Sequence, residues 1–460
     1  MSQISPVQMD FLVDLFGRDR VNAGPSARDL HCRDYSFHHC QPPAVVVWAR
    51  STDEVSRLLA WAQDEAMPVT AWGVGSSVEG NPIPVRGGVV LDMTQMDKLL
   101  ALYQADMQAV VEPGLTYTDL NSKLRHHGLF FLPDPGAAAS LGGMIANNAS
   151  GTRTVKYGAT RDYVLGLTVV LAGGEVITTG NRAHKSSSGY DLTRLFVGSE
   201  GTLGVITQAT LRLAGLPEHF AAVTAAFDDV ERAVEAVVAI KASGTGPAAL
   251  ELVTAPLARI MRAEGLEIPE LPQLFMEFDG FSQKSLAEAL EVVEGICREL
   301  GCKNFSAGLG AEEHNRLWSA RHAAAETIKR AHPGLEMLVT DAAVPISAYP
   351  SLVAFAYDFM AREGVTGYVL GHAGDGNLHV VWPGDPGDPA GWAKVEGANE
   401  AIVAEAIRLE GTATGEHGVG IGKRKFMPLE HGRSLGTMQA IKRTLDPRGI
   451  LNPGKLLPDA

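Results

Sequence analysis

At 460 residues, with 45% apolar and 20% charged residues, the chain is too long for one hydrophobic core and ordinary enough in composition to build two or three. A formal net charge of −14, with no cluster of Lys and Arg, excludes nucleic acid as a partner. Its 50 glycines exceed what a helical bundle or plain sandwich uses, so backbone freedom is needed somewhere. The N-terminal stretch carries Asp10 and Asp14 without the basic segment of a signal peptide, and no apolar run is long enough for a transmembrane segment. Cys32, Cys40, Cys297 and Cys302 lack CxxC spacing and are too few for a disulfide scaffold, which favours a reducing compartment. The expectation is a cytoplasmic protein, with loose membrane association left open; its acidic surface serves solubility and would also suit a small basic electron carrier.

Between residues 42 and 213, short apolar runs alternate with helical patterns, predicting strands over 44–48, 69–72, 89–92, 109–111, 164–171 and 204–213. The helix between the first two opens with Ser51 and Glu54 at capping-box spacing, and Val55, Leu58, Leu59 and Ala62 share one face. After Leu216 and Pro217 the pattern changes to helices over 228–242 and 283–300 with strands near 250 and 274–278, the grammar of a ferredoxin-like antiparallel sheet. A Gly/Pro/Asp-rich turn at 384–389 precedes a helix over 392–410 that Gly411 stops. The predicted class is α+β: a two-part domain over 1–217, an antiparallel-sheet cap over 218–425, and a C-terminal segment over 426–460 returning to the first domain.

Gly73-Val74-Gly75-Ser76-Ser77 follows a predicted strand; its glycines let backbone N–H groups approach an anion and its serines can donate, so a diphosphate fits. Val78 stands where the dinucleotide fingerprint needs its third glycine, which disfavours an NAD site. Alone, such a loop is an ordinary turn. It is joined by Pro135-Gly136, Ser140-Leu141-Gly142-Gly143, the 147–151 stretch with Asn147, Ser150 and Gly151, and Glu200-Gly201 with Gly204. Either these are close strand contacts or a long flat ligand with a central diphosphate, FAD, lies along them. Farther on, His372 and His379 bracket Ala373-Gly374-Asp375-Gly376-Asn377-Leu378, the composition of a tight reversal that would set both imidazoles on one side. Such a pair is a metal site or two satisfied core histidines. Glu416, beside His417, either completes a two-His, one-carboxylate set or caps a helix.

The run from Asp134-Pro135-Gly136 through Ser140 to Met144, then Ala149-Ser150-Gly151, Lys156-Tyr157-Gly158 and 196–207, resembles the vanillyl-alcohol-oxidase-type FAD-binding fold. The resemblance implies that 73–77 with Ser140, Gly142 and Gly143 hold the diphosphate, that Gly201, Gly204 and Ile206 lie near adenine, and that Pro135, Gly136, Asn147, Ser150, Gly151, Tyr157, Gly158, Glu200 and Asn452 belong to the cofactor site. No histidine stands in 72–80, so non-covalent FAD is expected.

The 371–379 and 415–420 segments resemble the C-terminal region of FAD-dependent D-lactate and D-2-hydroxyglutarate dehydrogenases, a similarity running from about 31 to 455 and ending in Leu451-Asn452-Pro453-Gly454-Lys455. It implies a divalent metal, zinc or manganese, on His372, His379 and Glu416, His417 as catalytic base, and Arg321, one turn beyond Trp318, as partner of the substrate carboxylate with help from Asn377. Hydroxyglutarate-type relatives carry a lysine two residues before the counterpart of Asp341; Val339 stands there, which favours a small D-2-hydroxy acid such as D-lactate over D-2-hydroxyglutarate and leaves glycolate as an alternative. The implied reaction is hydride transfer to flavin as His417 takes the hydroxyl proton, with cytochrome c, a quinone or electron-transfer flavoprotein as acceptor. A homodimer is left open. Rival readings are a metal-dependent hydrolase and a non-catalytic flavoprotein subunit.

Overall fold

The structure, a computed structural model, describes residues 4–309, 318, 321 and 323–458. Strands β1 (Val21–Asn22), β2 (Val45–Trp48), β3 (Val69–Trp72) and β4 (Val89–Asp92) form a sheet in the order β1-β2-β4-β3. β2 and β3 run parallel to β4, so they read as near-continuous apolar runs covered on both faces. The crossover helix Thr52–Glu65 starts at Ser51, whose hydroxyl accepts from the Glu54 N–H, and buries Val55, Leu58, Leu59 and Ala62 as expected. The capping box does not close. Glu54 instead accepts from the Arg50 N–H at 2.7 Å and pairs with Arg20 at 2.8 Å, because a guanidinium fork outcompetes one neutral amide.

β5 (Leu99–Tyr103), β6 (Gln108–Val111), β8 (Val164–Val170), β9 (Val176–Gly180) and β10 (Val205–Arg212) make a second, antiparallel sheet in the order β5-β6-β10-β8-β9, while β7 (Leu129–Phe130) pairs with β11 (Ala214–Gly215). The C-terminal segment extends the first sheet: the Val69 N–H donates to Ile450 and the Asn452 N–H to Val69, and Ile450 and Leu451 join the core with Val45, Leu59 and Val89. These elements form one compact unit, Met1–Ser150, Ala159–Leu216 and Glu416–Ala460.

The second unit is Gly151–Gly158 with Pro217–Gly415. The first unit takes up again at Glu416, and 151–158 goes with the second. The cause of the latter is local: Lys156 pairs with Asp279, and Lys241 donates to the Val155 carbonyl.

Here β12 (His219–Ala226), β13 (Ala249–Val253), β14 (Gln273–Gly280), β15 (Asn304–Leu309), β16 (Glu336–Ala343), β17 (Tyr368–Gly371) and β18 (Asn377–Gly384) form one antiparallel sheet in the order β15-β12-β14-β13-β17-β18-β16. The first four strands carry the ferredoxin-like order, with helices Val230–Ala242 and Gln283–Glu299 as crossovers. The sheet continues past β13 because its edge pairs with β17, and Thr412 bridges to Ala343 on the far side of β16, giving a second half of the same order. No described helix is long and apolar enough to cross a membrane. Cys32 and Cys40 form a disulfide, which corrects the expectation of reduced cysteines at this pair; Cys297 and Cys302 are free.

Candidate active site

The β17–β18 reversal is a single 3-10 turn, Ala373–Asp375, closed by the Asp375 and Asn377 N–H groups donating to the His372 carbonyl. Glycine is required at its end: Gly376 has φ +71°, and a Cβ there would lie 2.1 Å from the Val344 carbonyl oxygen. This geometry sets the rings of His372 and His379 edge to face, 5.1 Å apart, and both are buried. Glu251 in β13, fully buried, accepts from His372 Nδ1 with both oxygens, at 2.8 and 2.9 Å. An ionised carboxylate can only accept, so a proton sits on Nδ1 and Nε2 is the nitrogen left to face a metal, the arrangement a metal-ligating histidine needs. Burial pushes the Glu251 carboxyl up, but the charges of His372 and Arg321 outweigh it and hold it below the ordinary value.

Arg321 is buried and its Nη2 donates to Glu251 Oε2 at 2.6 Å; its Nε is buried with no acceptor among the described residues. Asp341, fully buried in β16, accepts from Asn377 at 2.8 Å and from the Thr414 hydroxyl at 2.9 Å, and its Oδ1 lies 3.7 Å from His379 Nδ1. Asn377 also donates to the Ala342 carbonyl. Its amide nitrogen thus holds the Asp341 carboxylate and the Ala342 carbonyl together. Val339 packs against the cluster of Phe275, Tyr368 and Val381.

In the first unit a cleft is walled by Gly73, Val74, Gly75, Ser76, Ser77, Pro135, Ser140, Gly142, Gly143, Asn147, Glu200, Gly201, Gly204, Ile206 and Asn452, with Glu416 and His417 also lining it. A Cβ at Gly73 would lie 2.2 Å from Ser140 Oγ, so the two glycine-rich stretches meet. Their donors differ. Leu141 and Gly142 donate to the carbonyls of Leu115 and Pro113, and Gly143 donates to the Ser140 side chain, whereas among the described residues no protein acceptor takes the N–H groups of 73–77. That donor set, between small and apolar walls, fits the diphosphate of a flat cofactor at 73–77. Gly136, Ser150, Gly151, Tyr157 and Gly158 do not line this cleft. Ser150 donates to Glu416 at 3.3 Å, and the Tyr157 hydroxyl donates to Asp279 in the second unit.

Glu200 lines the cleft at φ +53°, and its buried carboxylate closes a clamp: it accepts from the N–H groups of Val419 and Gly420 at 2.6 and 2.9 Å and from Asn81 at 2.8 Å. Burial pushes its carboxyl up, with those donors pulling it back in part. Asn147 donates to the His417 carbonyl at 3.2 Å, and His417 Nε2 lies 3.9 Å from Glu416 Oε1. Sequence reasoning missed Glu251 and Asp341 as partners of the histidines. Glu251 left a signal, being the one carboxylate in an otherwise apolar strand, Ala249-Leu250-Glu251-Leu252-Val253.

Comparison with known proteins bears on both units. Residues 43–180 match an FAD binding domain, and 216–456 match the C-terminal domain of FAD linked oxidases. A protein of Danio rerio named "Probable D-lactate dehydrogenase, mitochondrial" is 41% identical over 96% of this chain and 90% of its own. The chain belongs to the FAD-dependent D-lactate dehydrogenase family. Other relatives in this family's reach are the mitochondrial D-lactate dehydrogenase [cytochrome] of Arabidopsis thaliana, 40% identical over 92% of this chain and 75% of its own, and the glycolate oxidase subunit GlcD of Bacillus subtilis, 35% identical over 97% and 95%. Among solved structures, 4-ethylphenol oxidase from Gulosibacter chungangensis aligns with a TM-score of 0.78 at 17% identity over 99% of this chain and 98% of its own. p-Cresol methylhydroxylase aligns at 0.77 and 16% over 97% and 95%. These place the family member in the vanillyl-alcohol-oxidase-type fold.

Proposed function

We propose that this chain is an FAD-dependent dehydrogenase that oxidises D-lactate, or a closely similar small D-2-hydroxy acid, to the 2-keto acid. The observation that carries the reading is the pair His372 and His379 on one hairpin, the first with its tautomer fixed by Glu251 and a buried arginine on the same carboxylate. His372 and His379, with Glu416 as third ligand, would hold a divalent ion, zinc or manganese; nitrogen and oxygen donors of this kind suit either. When bound, the ion lowers the pKa of the substrate hydroxyl and FAD takes up two electrons.

The chain's own residues do the rest. Arg321 pairs with the substrate carboxylate through the guanidinium edge that Glu251 does not occupy. His417 accepts the hydroxyl proton, leaving the α-hydrogen and its electron pair for the flavin. Asn377 holds Asp341 beside His379 and would assist Arg321 at the substrate carboxylate. Val339, packed on apolar side chains, supplies no charge for a second carboxylate, which supports a monocarboxylate. The relatives named for a cytochrome support a cytochrome-type electron acceptor.

The test is anaerobic addition of D-lactate and L-lactate to the purified yellow protein. Flavin absorbance should bleach with the D-isomer only; no bleaching by any D-2-hydroxy acid would defeat the reading. Similarity to the glycolate oxidase subunit supports glycolate as a second substrate, and the same assay across chain lengths ranks the two.

A further inference from the structure

Every neighbour of Glu251 along β13 is apolar and fully buried, as is Glu251 itself. Burying a carboxylate is costly, and a strand that only filled a core would carry leucine or valine there. The charge is placed where one oxygen, Oε2, lies 2.6 Å from Arg321 Nη2 and 2.9 Å from His372 Nδ1, while Oε1 lies 2.8 Å from the same imidazole nitrogen. Two groups with separate tasks in the proposed reaction thus share a single acceptor.

We propose that Glu251 is a positioning residue that sets both arms of the site at once: through His372 Nδ1 it fixes the ring that presents Nε2 to the divalent ion, and through Arg321 Nη2 it fixes the guanidinium that meets the substrate carboxylate. The inference rests on the metal and arginine roles given above. Aspartate would fall one methylene short of spanning both partners, and glutamine, while keeping the shape, offers one oxygen in place of two and turns an N–H₂ group toward donors. Removing the charge therefore loosens ion and substrate together, although Glu251 touches neither. An ordinary core residue would alter neither affinity selectively.

The experiment uses the full-length, FAD-loaded protein stripped of divalent ions, titrated with Mn²⁺ while free ion is followed by its electron paramagnetic resonance signal. Wild type, Glu251→Gln and Glu251→Asp are compared, with flavin content as the control for folding. The expected result is one tight site in the wild type, affinity weakened by about 10-fold or more in Glu251→Gln, and an intermediate value for Glu251→Asp. At Mn²⁺ sufficient to saturate each variant, kcat should recover toward wild type while KM for D-lactate stays raised several-fold. Wild-type Mn²⁺ affinity in Glu251→Gln, or an unchanged KM at saturating Mn²⁺, overturns the proposal and leaves the dehydrogenase reading standing. A wild-type protein that binds no Mn²⁺ overturns the metal reading and this inference with it. Should Glu251→Gln fail to accumulate with flavin, Glu251→Asp decides by the same two criteria.

Discussion

The carboxylate of Glu200 accepts the Val419 N–H at 2.6 Å, tying a residue that lines the cleft to the segment that carries His417. Because the Gly420 N–H and the Asn81 amide converge on the same carboxylate, Glu200→Ala would strand several buried donors. Each unmet donor costs about 1–3 kcal/mol, so the expected loss is about 3 kcal/mol or more. Thermal melting of the flavin-loaded protein should show it, with flavin released earlier than in wild type. An unchanged melting temperature would mean the clamp is not holding the segment.

Gly75 and Gly143 both line the cleft, yet alanine should act oppositely at the two. Gly75 sits at φ +69° and a Cβ there would lie 2.6 Å from the Trp72 ring, so Gly75→Ala strains the loop whose N–H groups are proposed to meet the diphosphate. At Gly143 the nearest atom is Ser140 Oγ at 3.2 Å, a side chain that can give way, and its N–H already donates to that serine. Purified Gly75→Ala should have lost most of its FAD and Gly143→Ala should retain it. Equal retention in both would argue that the diphosphate is not held at 73–77.

His38 gives the first unit a dependence on acid. Burial, reinforced by the positive charges of Lys455, His39 and Lys425, lowers its pKa from 6.5 to about 4. The unfolded chain therefore binds the proton first: stability from this group is complete above pH 6.5 and is lost as pH falls from there to about 4. At most about 3 kcal/mol is at stake for a shift of this size. Urea midpoints measured between pH 7 and 4 should fall in wild type and fall less in His38→Gln; parallel curves would show that other groups govern the acid limb.

The architecture was readable where one period dominates. Strands such as Val89–Asp92 and the helix Thr52–Glu65 follow from local apolar spacing, and the turn between His372 and His379 follows from its glycines. What pairs with what was not readable. The union of β13 with β17 joins segments more than a hundred residues apart, and only that union brings Glu251 to His372. The resemblance sets Asn377 toward the substrate carboxylate, whereas its bond to Asp341 follows from the β16–β18 register. The Cys32–Cys40 bond likewise depends on a loop conformation that spacing alone does not dictate.

In the proposed reaction His417 takes the hydroxyl proton. It is partly exposed in the cleft wall, its carbonyl is held by Asn147, and its backbone neighbours Val419 and Gly420 are pinned by Glu200, so the segment is fixed while the ring remains accessible. A positioned general base contributes about 10²–10⁴-fold, and His417→Ala should lower kcat with D-lactate by that order while flavin content and Mn²⁺ affinity stay near wild type. Raising the pH should recover part of the loss, because hydroxide or a buffer base can then take the hydroxyl proton. Rapid-reaction bleaching separates this step from reoxidation by the acceptor: a variant that bleaches at the wild-type rate would remove His417 from the proton transfer.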